Sequence, residues 1–211
     1  MKQEHPLQAL AAYLPEGTFE QVIAYITEYK VHLTITRERQ SVLGDYRHPY
    51  QGKGHRISIN GGLNKYAFLL TMLHEIAHLT TFLVYGHSVS AHGREWKNEY
   101  AKILREFIGK GYMPHDVENA VRQSLHNPGA TSCSDEGLMR VLMRYDRQKE
   151  NHHLVESIPV GKLFKTKDGR VFRRGEKIRK RIRCEETETR RVYLFSPVYE
   201  VELVVDNTSI K

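Results

Sequence analysis

The chain has 211 residues, 40% of them hydrophobic and 27% charged, which allows one medium domain with a small appendage and excludes wholesale disorder. Its two cysteines, Cys133 and Cys184, lie far apart and in no CxxC pair, so a disulfide scaffold is excluded and a reducing, cytoplasmic setting is expected. The formal charge of +7 is local, because residues 161–191 hold 13 Lys/Arg against 5 Asp/Glu, while residues 1–160 are close to neutral.

In chain order, the opening MKQEHPLQAL has no apolar core, so no secretory leader is expected. Residues 18–29 space Phe19, Val22, Ile23 and Ile26 at helical intervals. Next, Val31, Leu33 and Ile35 alternate with His32, Thr34 and Thr36, a strand pattern. The stretch GDYRHPYQGKG is rich in turn formers and predicts a loop or hairpin. A second strand, HRISIN, ends at Asn60-Gly61-Gly62. Asn64 then caps a long helix in which ten of the fourteen residues Tyr66–Leu79 are apolar, on nearly all sides, as in a buried central helix. No apolar run is expected to span a bilayer; the longest lies around Tyr66–Leu73, and no membrane partner is predicted.

GHSVSAHG breaks the helix at 86–93, and Trp96, Tyr100, Ile103, Leu104, Phe107 and Ile108 form the apolar stripe of the next one. Further helices are predicted near 115–125, capped around His115-Asp116, and at 134–148, capped by Ser134. After residue 152 short alternating runs and an Asp168-Gly169 turn signal predict a small antiparallel β unit. The expected architecture is α+β: a helical domain with a small antiparallel sheet over residues 1–152, then a basic β domain over 153–211.

The chemistry sits in the oily helix, in TMLHEIAHLTTF. At helical spacing Thr71, His74, Glu75 and His78 share one face, and ionisable groups buried there need a partner. Two histidines four residues apart can turn ring nitrogens onto one zinc ion, with the glutamate between them reaching the activated water. The alternative is a core helix whose histidines bond to their neighbours. A catalytic zinc needs a third protein ligand. LTTFLV after His78 lacks the Gly and His of a metzincin, which leaves His87, His92, Glu95 and Glu99 as candidates. Glu99, 21 residues after His78, would give a thermolysin-like site.

TMLHEIAH, then a break, then HGREW, resembles the SprT-like zinc metallopeptidases, the family that includes Spartan. LGDYRHP and HRISIN resemble the strands before the active-site helix of that family, so the likeness covers roughly residues 18–108. It implies a zincin-like fold, one zinc ion held by His74, His78 and His92, Glu75 as general base, and peptide-bond hydrolysis of protein substrates, including DNA-attached ones. The departure is at the C-terminus: many members carry a four-cysteine ribbon there, and this chain has only Cys184 in that region.

Zinc would acidify its water and polarise the scissile carbonyl, with Glu75 moving the proton. The oxyanion partner is left among Tyr46, His48, Tyr50 and His87, and HRISIN is the candidate edge for an extended substrate. His87 reads as a surface histidine, Trp96 as core, and Glu95 and Glu99 as solvated charge or as partners of the ligand imidazoles. In KIRKRIRC, Lys177, Arg179, Arg181 and Arg183 alternate with other residues, and as one strand they would form a cationic face for non-specific DNA contact. A reading of another class follows from that face: a nucleic-acid-associated binding protein with a structural or inactive zinc site.

Overall fold

The structure is a computed structural model describing residues 7–37, 42–125, 135–146 and 151–204. The chain divides into two compact units, Met1–Asp146 and Arg147–Lys211.

In the first unit, helix α1 (Phe19–Glu28) buries Val22, Ile23 and Ile26, the residues whose spacing predicted it. Three strands follow, β1 (His32–Thr36), β2 (Gly44–Arg47) and β3 (Arg56–Asn60), in the order β1-β3-β2. The sheet is mixed and not antiparallel as expected, because β1 runs parallel to β3, with Leu33 opposite Ile57 and Ile35 opposite Ile59. HRISIN is therefore the central strand and not an edge. The edges are β1 and β2, and β2 lies inside the segment read as a loop. It has no β-branched residue, and its pairing to β3 (Gly44 to Ile59, Tyr46 to Ile57) makes it a strand. That register puts Gly44 and Tyr46 on the same face as the buried Ile57 and Ile59.

Helix α2 (Lys65–Tyr85) runs through the core, and every residue from Phe68 to Ala77 is buried. Asn64 caps it as predicted: its Oδ1 accepts from the backbone N–H groups of Tyr66 and Ala67 at 3.1 and 3.0 Å. Its Nδ2 donates to the Leu142 carbonyl and to Asp146. By length and composition α2 could cross a bilayer, contrary to expectation, but two-thirds of its most apolar window is buried within the protein, as in a core helix. It ends at Gly86, which takes φ 58°.

Helix α3 (Arg94–Phe107) packs on α2 through Trp96, Tyr100, Ile103, Leu104 and Phe107. In α4 (His115–Ser124) the capping position is Pro114; Asp116 lies inside the first turn and accepts from the Tyr145 hydroxyl at 2.7 Å. Helix α5 (Glu136–Leu142) is shorter than expected and is capped by Asp135; Ser134, the anticipated cap, lies outside the described residues.

The second unit is a six-stranded antiparallel sheet of β4 (His152–Leu154), β5 (Leu163–Lys165), β6 (Val171–Ile178), β7 (Arg181–Glu186), β8 (Val192–Phe195) and β9 (Glu200–Leu203). Its order is β4-β9-β5-β6-β7-β8. Phe164, Phe172, Ile182, Cys184 and Val201 fill its core, joined by Val155 and Ile158. The Asp168-Gly169 signal forms the expected turn between β5 and β6, with Gly169 at φ 89°. The cationic run is not one strand. It folds back at Arg179, whose φ is 54°, so Ile178 faces Arg181 and Lys177 faces Ile182. Arg181 and Arg183 stay exposed on β7 while Ile182 and Cys184 turn inward. A single cationic face of all four residues does not form, because the chain reverses in the middle of the run.

Candidate metal centre

Two turns of α2 and the loop before α3 build the site. His74 and His78, one turn apart, present their Nε2 atoms 3.2 Å from each other, and His92 Nε2 lies 3.2 Å from that of His74. Among the described residues these three histidines are the group of metal-ligating side chains that converges, with all ligand atoms within 4.8 Å. Two nitrogens bound tetrahedrally at about 2.05 Å from zinc lie about 3.3 Å apart, so the spacing matches such an ion. Hydrogen bonding alone serves it poorly. His74 Nε2 offers either one proton or one lone pair, yet it faces two nitrogens at the same distance. A cation accepts all three lone pairs at once.

The electrostatics agree with that fit. Burial, helped by the neighbouring imidazoles, pushes the His74 pKa down to about 3. Burial does the same for His78, to about 4, against a small opposing pull from Asp45. His92 is lowered too, again by burial. All three are held neutral near pH 7, the form that binds metal. His92 also sits at φ 62°, a left-handed conformation that non-glycine residues seldom adopt and that concentrates at functional sites.

Trp96 forms the wall shared by the three imidazoles. It is fully buried, with ring centroids 4.6, 5.3 and 4.7 Å from those of His74, His78 and His92. The core role read from the sequence is thus also a site role. Trp96 Nε1, His74 Nδ1 and Thr71 Oγ1 are three of the six side-chain polar atoms that are buried without a hydrogen-bond partner among the described residues.

Glu75 is buried on the same helix, facing β2. A methyl group at residue 44 would stand 2.6 Å from Glu75 Oε1, 2.7 Å from Thr71 Cγ2 and 2.9 Å from Glu75 Cγ. Only glycine lets the edge strand come this close to the carboxylate. Sequence reasoning missed Gly44, because a lone glycine among turn formers carries no periodic signal. Tyr100 packs against His74 and Trp96, and its buried hydroxyl is held protonated, first by burial and then by the charge of Glu75.

The other candidates do not join the three histidines. Glu99 lies 3.7 Å from Lys102, and Glu95 lies 3.6 Å from Arg94. His87 packs edge-on to His48, with centroids 4.6 Å apart, and both rest on Phe82, one turn beyond His78. Tyr46 approaches the same phenylalanine, and its hydroxyl lies 2.8 Å from His55 Nδ1. Tyr50 is exposed at the nearby turn. His55 belongs to this aromatic wall and was not singled out from the sequence.

Residues 10–119 match the SprT-like family. The chain belongs to the SprT-like family. The match covers α1, the three-stranded sheet, the α2 site, α3 and the first half of α4, and stops before the β unit. No curated protein and no solved structure matches the chain. Membership in the SprT-like family and a three-histidine group able to hold a metal ion fit together, since members of this family are often zinc metallopeptidase-like.

Proposed function

We propose that this SprT-like protein is a zinc-dependent peptidase that hydrolyses peptide bonds, with His74, His78 and His92 as ligands to one zinc ion and Glu75 as general base. The carrying observation is the convergence of the His74, His78 and His92 Nε2 atoms, the first two on α2, the helix that also carries the buried Glu75. When bound, the ion supplies Lewis acidity that acidifies a water molecule and polarises a carbonyl oxygen. The Glu75 carboxylate accepts the proton of the attacking water and passes it to the departing amide nitrogen. The wall of Trp96 and Tyr100 keeps water from the inner side of the site and fixes the imidazoles. An extended substrate adds to β2, the edge strand that contacts Glu75 through Gly44.

The test is cleavage of an unfolded protein substrate by the zinc-loaded chain and by Glu75→Gln. Wild type cleaves and loses activity with a chelator, while the variant keeps its zinc and loses cleavage. Proteolysis that survives in Glu75→Gln rules out this mechanism.

A second reading concerns the β unit. Its β6–β7 hairpin carries Lys177, Arg179, Arg181 and Arg183, all exposed, and this supports a non-specific hold on DNA near the protein substrates. Its measure is the salt slope of DNA binding, which flattens when these four residues are neutralised. A slope unchanged in that variant removes the reading.

A further inference from the structure

The first unit is nearly neutral overall, but one side of α3 is not. A groove of about 660 Å³ starts at His92 and runs along the outer face of α3 to Leu125. Arg94, Lys97, Lys102 and Arg105 line it, and Glu99 is the one carboxylate among its lining residues. The ion pairs within it are weak. Arg94 is 86% exposed and 3.6 Å from Glu95, and Lys102 is 71% exposed and 3.7 Å from Glu99. Arg94 and Lys102 are therefore held only loosely by these carboxylates, and their charge stays exposed along the groove. From Arg94 to Arg105 the helix rises about 16 Å, the length of about five extended residues.

We propose that this groove binds an acidic segment of the polypeptide substrate and makes the enzyme prefer sites flanked by Asp and Glu. The inference rests on the peptidase reading, since the groove opens at a metal ligand and a chain held in it is led to the metal. Two features favour a polypeptide over a nucleic-acid strand. Among the described residues no Phe, Tyr or Trp lines the groove to stack on a base. Glu99 sits in mid-groove, where it repels a polyanion with a charge on every repeat but is bypassed by a peptide whose carboxylates are spaced.

The experiment uses the full chain carrying Glu75→Gln, loaded with zinc, so that peptides are bound and not consumed. A fluorescein-labelled peptide with alternating Asp and Glu is compared by anisotropy with its Asn/Gln twin. The acidic peptide binds roughly tenfold more tightly at low ionic strength, and the advantage fades with salt. Arg94→Glu with Arg105→Glu removes it, while zinc content and far-UV circular dichroism report that the fold persists. Should that pair fail to fold, Arg105→Gln alone reduces the advantage severalfold. Equal affinity for both peptides overturns the proposal. So does an advantage that survives in the groove variant but is lost in Arg181→Glu/Arg183→Glu. Tighter binding of a single-stranded oligonucleotide in the groove, lost in the groove variant, reassigns the surface to nucleic acid. Wild-type proteolysis is scored separately: absence of cleavage with acidic binding intact sinks the peptidase reading, and cleavage without acidic preference sinks only the groove.

Discussion

Gly44→Ala tests the site through a residue that touches no ligand. The new methyl would stand 2.6 Å from Glu75 Oε1, about 0.8 Å inside ordinary contact, and is also too close to Thr71 Cγ2 at 2.7 Å. Either the carboxylate swings away by about 1 Å or the edge strand lifts. Displacing a reacting group by that distance costs on the order of 100-fold in rate. Overpacking of this kind also costs about 1–3 kcal/mol in stability. The three atoms the methyl meets first belong to Glu75 and Thr71 and to none of the histidines, so zinc is expected to stay at one per chain. The assay pairs steady-state kinetics on a fluorogenic peptide with metal analysis and urea unfolding. The expected result is kcat down about 100-fold with full zinc content. Gly61→Ala is the control. Its methyl would stand 2.7 Å from the Thr36 carbonyl oxygen, so it also loses stability but keeps kcat. If Gly44→Ala retains kcat within about twofold, the close approach of β2 does not position Glu75 and the reasoning fails.

The metal-free protein should weaken on acidification. His74 and His78 have folded-state pKa values lowered to about 3 and about 4, so their stability is present above the ordinary value of 6.5 and is lost as pH falls below it. Each contributes at most about 1.4 kcal/mol per pH unit, read as a falling urea midpoint between pH 7 and 4.5, and flattened in His74→Asn/His78→Asn. In His92→Gly the φ of 62° costs nothing, so apo stability holds or rises by up to ~1 kcal/mol while zinc affinity drops; a marked loss of apo stability would show that His92 is structural. Asn64→Ala removes both the cap of α2 and the tie to Leu142 and Asp146, and should lower the unfolding free energy by about 1–2 kcal/mol. Neutralising Asp168, whose carboxyl is held down to about 2 by Thr166 and Arg170, should leave the first unit untouched, as judged by zinc binding.

What was legible in the sequence was what periodic burial writes into it. The 3.6-residue spacing in α1 and α3, the Asn64 cap and the polar stripe on α2 are all local signals, and they gave the helices and two of the three converging histidines. His92 needed a family likeness, because its ring reaches the site through a left-handed backbone that no pattern marks. Sheet order was illegible for another reason. A strand that is short, glycine-led and charged has no preference of its own, and β2 exists only because β3 offers it partners. The reversal at Arg179 was hidden by chemistry: cations continue on both sides of it, and neither glycine nor proline announces the turn.

The apolar length of α2 has a consequence during synthesis. The ribosome delivers this 21-residue segment, whose most apolar 18-residue window has a mean hydropathy of 1.5, before any of α3, α4 or α5 exists to cover it. At about 5–20 residues per second, about 1–4 s pass between the emergence of Tyr85 and that of Phe107, and for that interval this apolar segment lacks the α3 face that covers it. During that interval the exposed segment is a surface a holdase chaperone would bind, and expression yield is expected to rise with chaperone supply.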